Sequence, residues 1–281
     1  MPLKHIFLAA MFTMGLSAAA PVARGQSNQV LTQAGAAPEV INIVHESLIP
    51  GRETPYAGLL AKIAGGYSRA KIPVYWLESQ SLTGAPESMS LNFFDSFADA
   101  EAVYRALNTA LAAHPELVPM QDQLLAYTSS VTNALAVRRD DIGYRVNAID
   151  FSKARVLRIA TVVVRQGHES EFVEAMRNLS AAFASASAES PWVVYRVSAG
   201  APATTFVIIM PMSSLGEMDN YVGREKLLRE SEGEATAGRM QEIASAAYVS
   251  WDNEIYIVNP QDSHVSEEFA AGDPSFWTLK N

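Results

Sequence analysis

The stretch Gly51-Arg52-Glu53-Thr54-Pro55-Tyr56 has a counterpart in Gly167-His168-Glu169-Ser170-Glu171-Phe172, and the offset between the two glycines carries further along the chain. At that same offset Tyr56, Leu60, Ile63 and Tyr67 fall on Phe172, Met176, Leu179 and Phe183. The spacing i, i+4, i+7, i+11 gathers each set of four on one side of a helix. Two helices of the same design are therefore predicted, one in each half of the chain. Gly51 and Gly167 each follow a strand-like run, where a residue without Cβ turns the chain at positive φ. Thr54 and Ser170 stand where an N-cap hydroxyl would accept from the first free N–H groups, and Pro55 suits a first helical turn.

Reading outward, the same order of elements recurs. Val40 to Glu46 and Arg155 to Val164 read as first strands before the glycine. Val74 to Ser79 and Trp192 to Val197 read as second strands, each preceded by a proline, Pro73 or Pro191. The turn-forming stretches Thr83-Gly84-Ala85-Pro86 and Ala199-Gly200-Ala201-Pro202 lead to third strands, Ser88 to Phe94 and Thr205 to Met210. Second helical regions are expected after Ser96 and after Ser214. Closing strands are expected at Asp140 to Asn147 and Asp252 to Asn259. Each half is then a βαββαβ, ferredoxin-like unit, with helices on one face of an antiparallel sheet. The other face of each sheet needs cover, which the two units supply to each other by packing sheet to sheet. The expected fold class is α+β: tandem ferredoxin-like repeats forming an intramolecular α+β barrel. Independent beads on a spacer are the alternative, and Phe151 to Arg155 is short for a spacer.

The ends of the chain read differently. Lys4 and His5 precede an apolar stretch from Ile6 to Ala20, and Ala23-Arg24-Gly25 fits the small-x-small pattern of a signal peptidase site. Cleavage after Ala20 competes, although Pro21 would then follow the cut. The run is short for a membrane span. The expected organisation is a signal peptide over 1–25, a flexible lead-in over 26–38, repeats over 39–150 and 151–260, and an acidic tail over 261–281. The expected location is periplasmic or secreted.

Composition narrows the function. The chain of 281 residues is 49% hydrophobic, enough for a sizeable core. Its formal charge of −9 becomes −11 once Lys4 and Arg24 leave with the leader, which argues against nucleic acid as a partner. The absence of cysteine excludes disulfides, thiolate-bound metals, thiol nucleophiles and a lipidated N-terminal cysteine. No later segment is apolar enough to span a bilayer, so no membrane partner is expected after leader removal.

The doubled strand-Gly-x-Glu-x-x-aromatic-helix pattern resembles the dimeric α+β-barrel superfamily over residues 40–150 and 155–260. That group includes antibiotic-biosynthesis-type monooxygenases, EthD-like and NIPSNAP-like proteins and, in fused two-repeat form, chlorite dismutase-like haem proteins. The resemblance implies the fold and leaves the activity open, because one fold hosts many chemistries. For a haem it implies an axial histidine in the second half, where His168 and His264 stand; neither lies on a convincing apolar helix face.

Candidate site residues follow from strand alternation. Asn42, Asn92, Trp76, Tyr144 and Arg158 are candidates for the concave, ligand-binding face. His45, in register with Ile41 and Ile43, is another. Asn42 and His45 have opposite parity, so a regular strand points only one of them inward. Asn42 and Arg158 coincide at the repeat offset. Buried hydrogen bonds between packed layers are the competing explanation for each of these polar groups. His168 and Glu171 share a helix face, where a solvated pair competes with a weak metal site. His114 reads as loop, and no catalytic triad, HExxH or phosphate-binding glycine loop is present. Tyr75, Trp192 and Trp251 read as core or rim. Arg138-Arg139-Asp140-Asp141 reads as the self-neutralised start of a strand. No metal site is expected, and the cofactor stays undefined. The expectation is an exported barrel that binds a small, mostly apolar molecule. A monooxygenase-like barrel enzyme, cofactor-free or with haem, and an interaction module are the alternatives.

Overall fold

A computed structural model describes residues 35–222 and 245–278. On β1 (Val40–Leu48) Ile41 and Ile43 bury on one side of the sheet while Val40 and Leu48 bury on the other. The same alternation runs through β2 (Leu77–Ser81), β3 (Glu87–Phe94), β4 (Thr128–Arg138), β5 (Val156–Val164), β6 (Val193–Ala199), β7 (Thr205–Met212) and β8 (Tyr248–Val258). These eight strands close a barrel in the order β1-β3-β2-β8-β5-β7-β6-β4, with every neighbouring pair antiparallel and β4 back on β1. Closure gives each of the eight described strands a neighbour on both sides. The first four strands lie as β4-β1-β3-β2 and the last four as β8-β5-β7-β6, and the halves join at β2–β8 and β4–β6.

Helices cover the outside. Over the first half lie α1 (Glu53–Ala70), α2 (Phe97–Ala113) and α3 (Val118–Leu124); over the second lies α4 (Glu169–Ser185), and residues 217–222 are again helical. The two matched stripes are what these helices bury. Tyr56, Leu60, Ile63 and Tyr67 are at most 1% exposed, Phe172, Met176 and Phe183 at most 3%, and Leu179 is half-buried. Gly51 and Gly167 turn into the helices at φ +82° and +91°. The cap assignment needs correction. The helices begin two residues earlier than expected, so Arg52 and His168 occupy the N-cap without a side-chain bond, and Thr54 and Ser170 are already helical. Ser96 does cap α2, its hydroxyl accepting from the Asp99 N–H at 3.1 Å.

The closing strand of the first half lies elsewhere than expected. It is β4, and residues 140–142 and 146–148 form 3-10 turns instead. The alternation of Ile142 and Tyr144 that mimics a strand packs these two residues beneath α4. Arg138 ends β4 and bonds Asp140 and Glu39, while Arg139 bonds Asp141, so this run closes a strand rather than opening one. Most of the second helical region expected after Ser214 lies outside the described residues, as does the N-terminal leader. Among the described residues no helix is long and apolar enough to cross a membrane.

The barrel interior is packed at the end where β1 and β5 begin. Ala37, Ile149, Phe151, Ala154, Phe269 and Trp277 join the inward residues of the strands in one core. The segment after Pro260 is therefore integral to the fold. Trp277 donates its indole N–H to the Ser152 carbonyl at 2.7 Å, and His264 and Trp76 exchange both backbone hydrogen bonds.

Candidate functional site

At the other end of the barrel, next to the β2–β3 hairpin, the inner face turns polar. His45 on β1 presents Nε2 to Glu87 on β3 at 2.7 Å. Glu87 also meets the Tyr256 hydroxyl of β8 at 3.1 Å, and that hydroxyl lies 2.8 Å from Glu254. Three strands thus converge, and the nearest donor atoms of His45, Glu87 and Glu254 all lie within 4.8 Å of one another. Alternation explains the convergence. Tyr256 is buried in the barrel core, so Glu254, two residues away, shares its face. His45 follows Ile41 and Ile43 in the same way. Thr132 pairs with His45 across β1–β4, and Thr161 with Asp252 across β5–β8, extending the polar lining. The His45 side chain is 29% exposed and that of Glu87 12%, so the cluster is both sheltered and reachable.

The hairpin forms a wall of this mouth. Gly84 sits at φ +81°, and a Cβ there would come within 2.9 Å of a Glu254 carboxylate oxygen. Thr83 accepts the Ile255 N–H at 3.0 Å and fixes the hairpin to β8. Burial pushes the Tyr256 phenol up, and the two carboxylates beside it push it further, so this group is a neutral donor throughout the ordinary pH range.

Of the six residues singled out from sequence, only His45 enters this mouth. The other five face outward beneath the helices, which corrects the expectation that they line the concave face. Asn42 donates to Asn92 at 3.1 Å, and Asn92 donates to the Tyr75 carbonyl at 2.8 Å. Trp76 is 2% exposed and donates to the Asp262 carbonyl at 2.8 Å. The Tyr144 hydroxyl donates towards the Ala188 carbonyl at 2.9 Å. Arg158 lays its guanidinium over the Tyr221 ring, 4.5 Å from the centroid. Trp76 also lines a small apolar crevice of about 40 Å³ with Tyr75, Phe93 and Phe269. That is room for water rather than for an organic ligand. Glu87, Glu254 and Tyr256 were missed, although the odd-numbered face of β3 and the even-numbered face of β8 carry them in register.

Neither second-half histidine fits a haem. His168 is half-buried at the start of α4 and paired with Glu171 at 3.2 Å. His264 is enclosed by the rings of Tyr67, Tyr75 and Trp76, with Nδ1 2.7 Å from the Val74 carbonyl. Burial pushes its imidazole below the usual range, so it is held neutral.

A second polar cluster lies between the outer face of the first-half sheet and α1. Glu46 accepts from Tyr56, and Glu78 accepts from Ser88 and Ser90. Burial raises Glu46 to about 7 and Glu78 to about 8 against these hydrogen bonds, which work in the opposite direction. Both are enclosed, so they act on stability rather than on a ligand.

No known family matches the chain, and no curated protein resembles it in sequence. Solved structures resemble it in fold. An anthrone oxidase-like protein superposes at TM-score 0.52 with 11% identity, over 81% of this chain and 94% of its own. A proposed monooxygenase from Fusobacterium nucleatum subsp. nucleatum gives 0.49 with 10% identity, over 78% and 91%. A mutant chlorite dismutase from Candidatus Nitrospira defluvii gives 0.48 with 8% identity, over 87% and 98%. At these identities the likeness concerns the α+β barrel and not the chemistry.

Proposed function

We propose that the protein is an exported α+β barrel, built from two ferredoxin-like repeats, that binds a small molecule in the mouth of the barrel. The matching strand orders of the two halves support the repeats, and the leader-like residues 1–25 support export. The observation that carries the binding reading is the convergence of His45, Glu87 and Glu254 at the open, polar end of an otherwise packed barrel. The lining is rich in acceptors, so the ligand presents hydrogen-bond donors, as a phenol, polyol or amine does. A largely apolar guest deep in the barrel is disfavoured, because aromatic side chains occupy that space. Thermal-shift screening of EDTA-treated protein against phenols, polyols and amines tests this reading. Hits that persist in Asn42→Ala and disappear in His45→Ala support it; hits indifferent to His45→Ala overturn it.

A second, enzymatic reading is favoured by the contact of His45 with Glu87. A carboxylate that orients an imidazole is the arrangement of a general base. Anthrones, named for one fold neighbour, are carbon acids that such a base would deprotonate. Oxygen uptake with an anthrone, absent in His45→Ala, is the result this reading requires.

A further inference from the structure

We propose that His45, Glu87 and Glu254 form a site for one divalent transition-metal cation, zinc above all. Each donor comes from a different strand, β1, β3 and β8, so the barrel itself fixes their approach. One imidazole nitrogen and two carboxylate oxygens suit zinc, which in open sites takes three protein ligands and leaves a fourth position free.

The charge around these groups points the same way. Among the described residues no lysine or arginine lies within ion-pair distance of Glu87 or Glu254; His45 is the one basic group in contact. Tyr256 has a single hydroxyl proton and touches both carboxylates. One of those two contacts therefore places oxygen against oxygen with no proton from the phenol between them. A cation relieves this repulsion and leaves Tyr256 donating to a metal-bound carboxylate, the usual partner of a coordinating side chain.

The geometry needs only side-chain adjustment. Ligand atoms around a tetrahedral zinc at about 2.0–2.1 Å stand about 3.3 Å apart. The His45–Glu87 contact of 2.7 Å must open slightly, and the widest separation, within 4.8 Å, must close.

The inference rests on the same mouth as the proposed function and names an inorganic occupant for it. It is tested without any organic ligand. The protein is stripped with EDTA, desalted and titrated with zinc against a chromogenic indicator at about pH 7.5. The expected result is one equivalent per chain. Affinity falls about tenfold or more in His45→Ala and in Glu254→Gln. His168→Ala, which removes the histidine–glutamate pair at the start of α4, leaves the affinity unchanged. Circular dichroism confirms that each variant is folded, and His45→Gln serves if the alanine variant is not. Absence of stoichiometric zinc in folded wild type overturns the inference, as does binding that survives both His45→Ala and Glu254→Gln. Organic ligands that still bind the stripped protein would show that only the metal assignment had failed.

Discussion

Tyr56 of α1 donates its phenol proton to Glu46 of β1, across the interface between helix and sheet. Both residues are at least nine-tenths buried, and Glu78, Ser88 and Ser90 lie on the same outer sheet face. Tyr56→Phe keeps the ring and removes the donor, leaving a buried carboxyl short of a partner. The expected loss is about 1–3 kcal/mol. Urea denaturation should show it at both mildly acidic and mildly alkaline pH, with the larger loss at the alkaline end. There Glu46 is ionised: burial raises it to about 7, and the hydrogen bond from Tyr56 to the charged form works against that rise. An unchanged midpoint at both pH values would contradict the role assigned to this contact.

The same interface sets a pH dependence. Burial raises Glu46 to about 7 and Glu78 to about 8, with the Glu46 and Asp262 carboxylates raising Glu78 further; Asp262 itself is raised to about 7 by burial. Unfolded carboxyls titrate near 4. Between about pH 4.5 and 8 the folded protein therefore holds more protons than the unfolded chain, and stability falls as pH rises. His264 opposes this below about pH 6.5, because a buried neutral imidazole loses stability as the unfolded one becomes charged. Glu78→Gln isolates one contributor. Denaturation between about pH 6.5 and 8.5 should show wild-type stability declining, with a shallower slope in the variant, by an amount on the order of a few kcal/mol over the range. Parallel slopes would refute the assignment.

What was legible in the sequence follows from periodicity. Tyr56 to Tyr67 and Phe172 to Phe183 repeat at helical spacing because each stripe packs on its own sheet, and burial of large apolar groups leaves that imprint. β4 left no such imprint. Its inner residues Ser130 and Thr132 lie towards the open mouth and need no apolar side chain, so Thr128 to Asn133 carries no hydrophobic alternation. The loop at Ile142 and Tyr144 carries the apolar alternation instead, because α4 rests on it. The site was harder still. His45 and Glu87 are 42 residues apart, and Glu87 and Tyr256 are 169 apart, so only barrel closure unites them. Alternation did reveal that Asn42 and His45 cannot both face inward; register against β3 decides that His45 does.

Two glycines discriminate backbone conformation from crowding. Gly51 has φ +82° and nothing within 4 Å of the place a Cβ would occupy. Gly51→Ala should cost about 1–2 kcal/mol from the left-handed conformation alone. Gly200 has φ +94°, and a Cβ there would fall 1.9 Å from the Asn133 carbonyl oxygen on β4. Gly200→Ala must also push apart the β4–β6 seam that joins the two halves, so its loss should exceed that of Gly51→Ala. Equal midpoint shifts in guanidinium would show that the seam yields freely.

The cooperativity of the barrel is tested by a matched pair of truncations. Leu60 and Met176 occupy the second position of their stripes and are 1% and 3% exposed, one on the buried face of α1 and the other on that of α4. Leu60→Ala and Met176→Ala should each destabilise by about 2–5 kcal/mol, through lost transfer energy and the cavity left behind. Met176 should fall towards the low end, because neighbours accommodate a flexible thioether site more readily. The halves share β-ladders at β2–β8 and β4–β6, and one apolar core runs through both, so neither sheet is complete without the other. Each variant should therefore move a single transition that circular dichroism and tryptophan fluorescence report together. The fluorescence is informative in both directions, since Trp76 lies over the first half and Trp192 over the second. Two separable transitions, with each truncation shifting only the one belonging to its own half, would show that the ladders between the halves are too weak to make the barrel one cooperative unit.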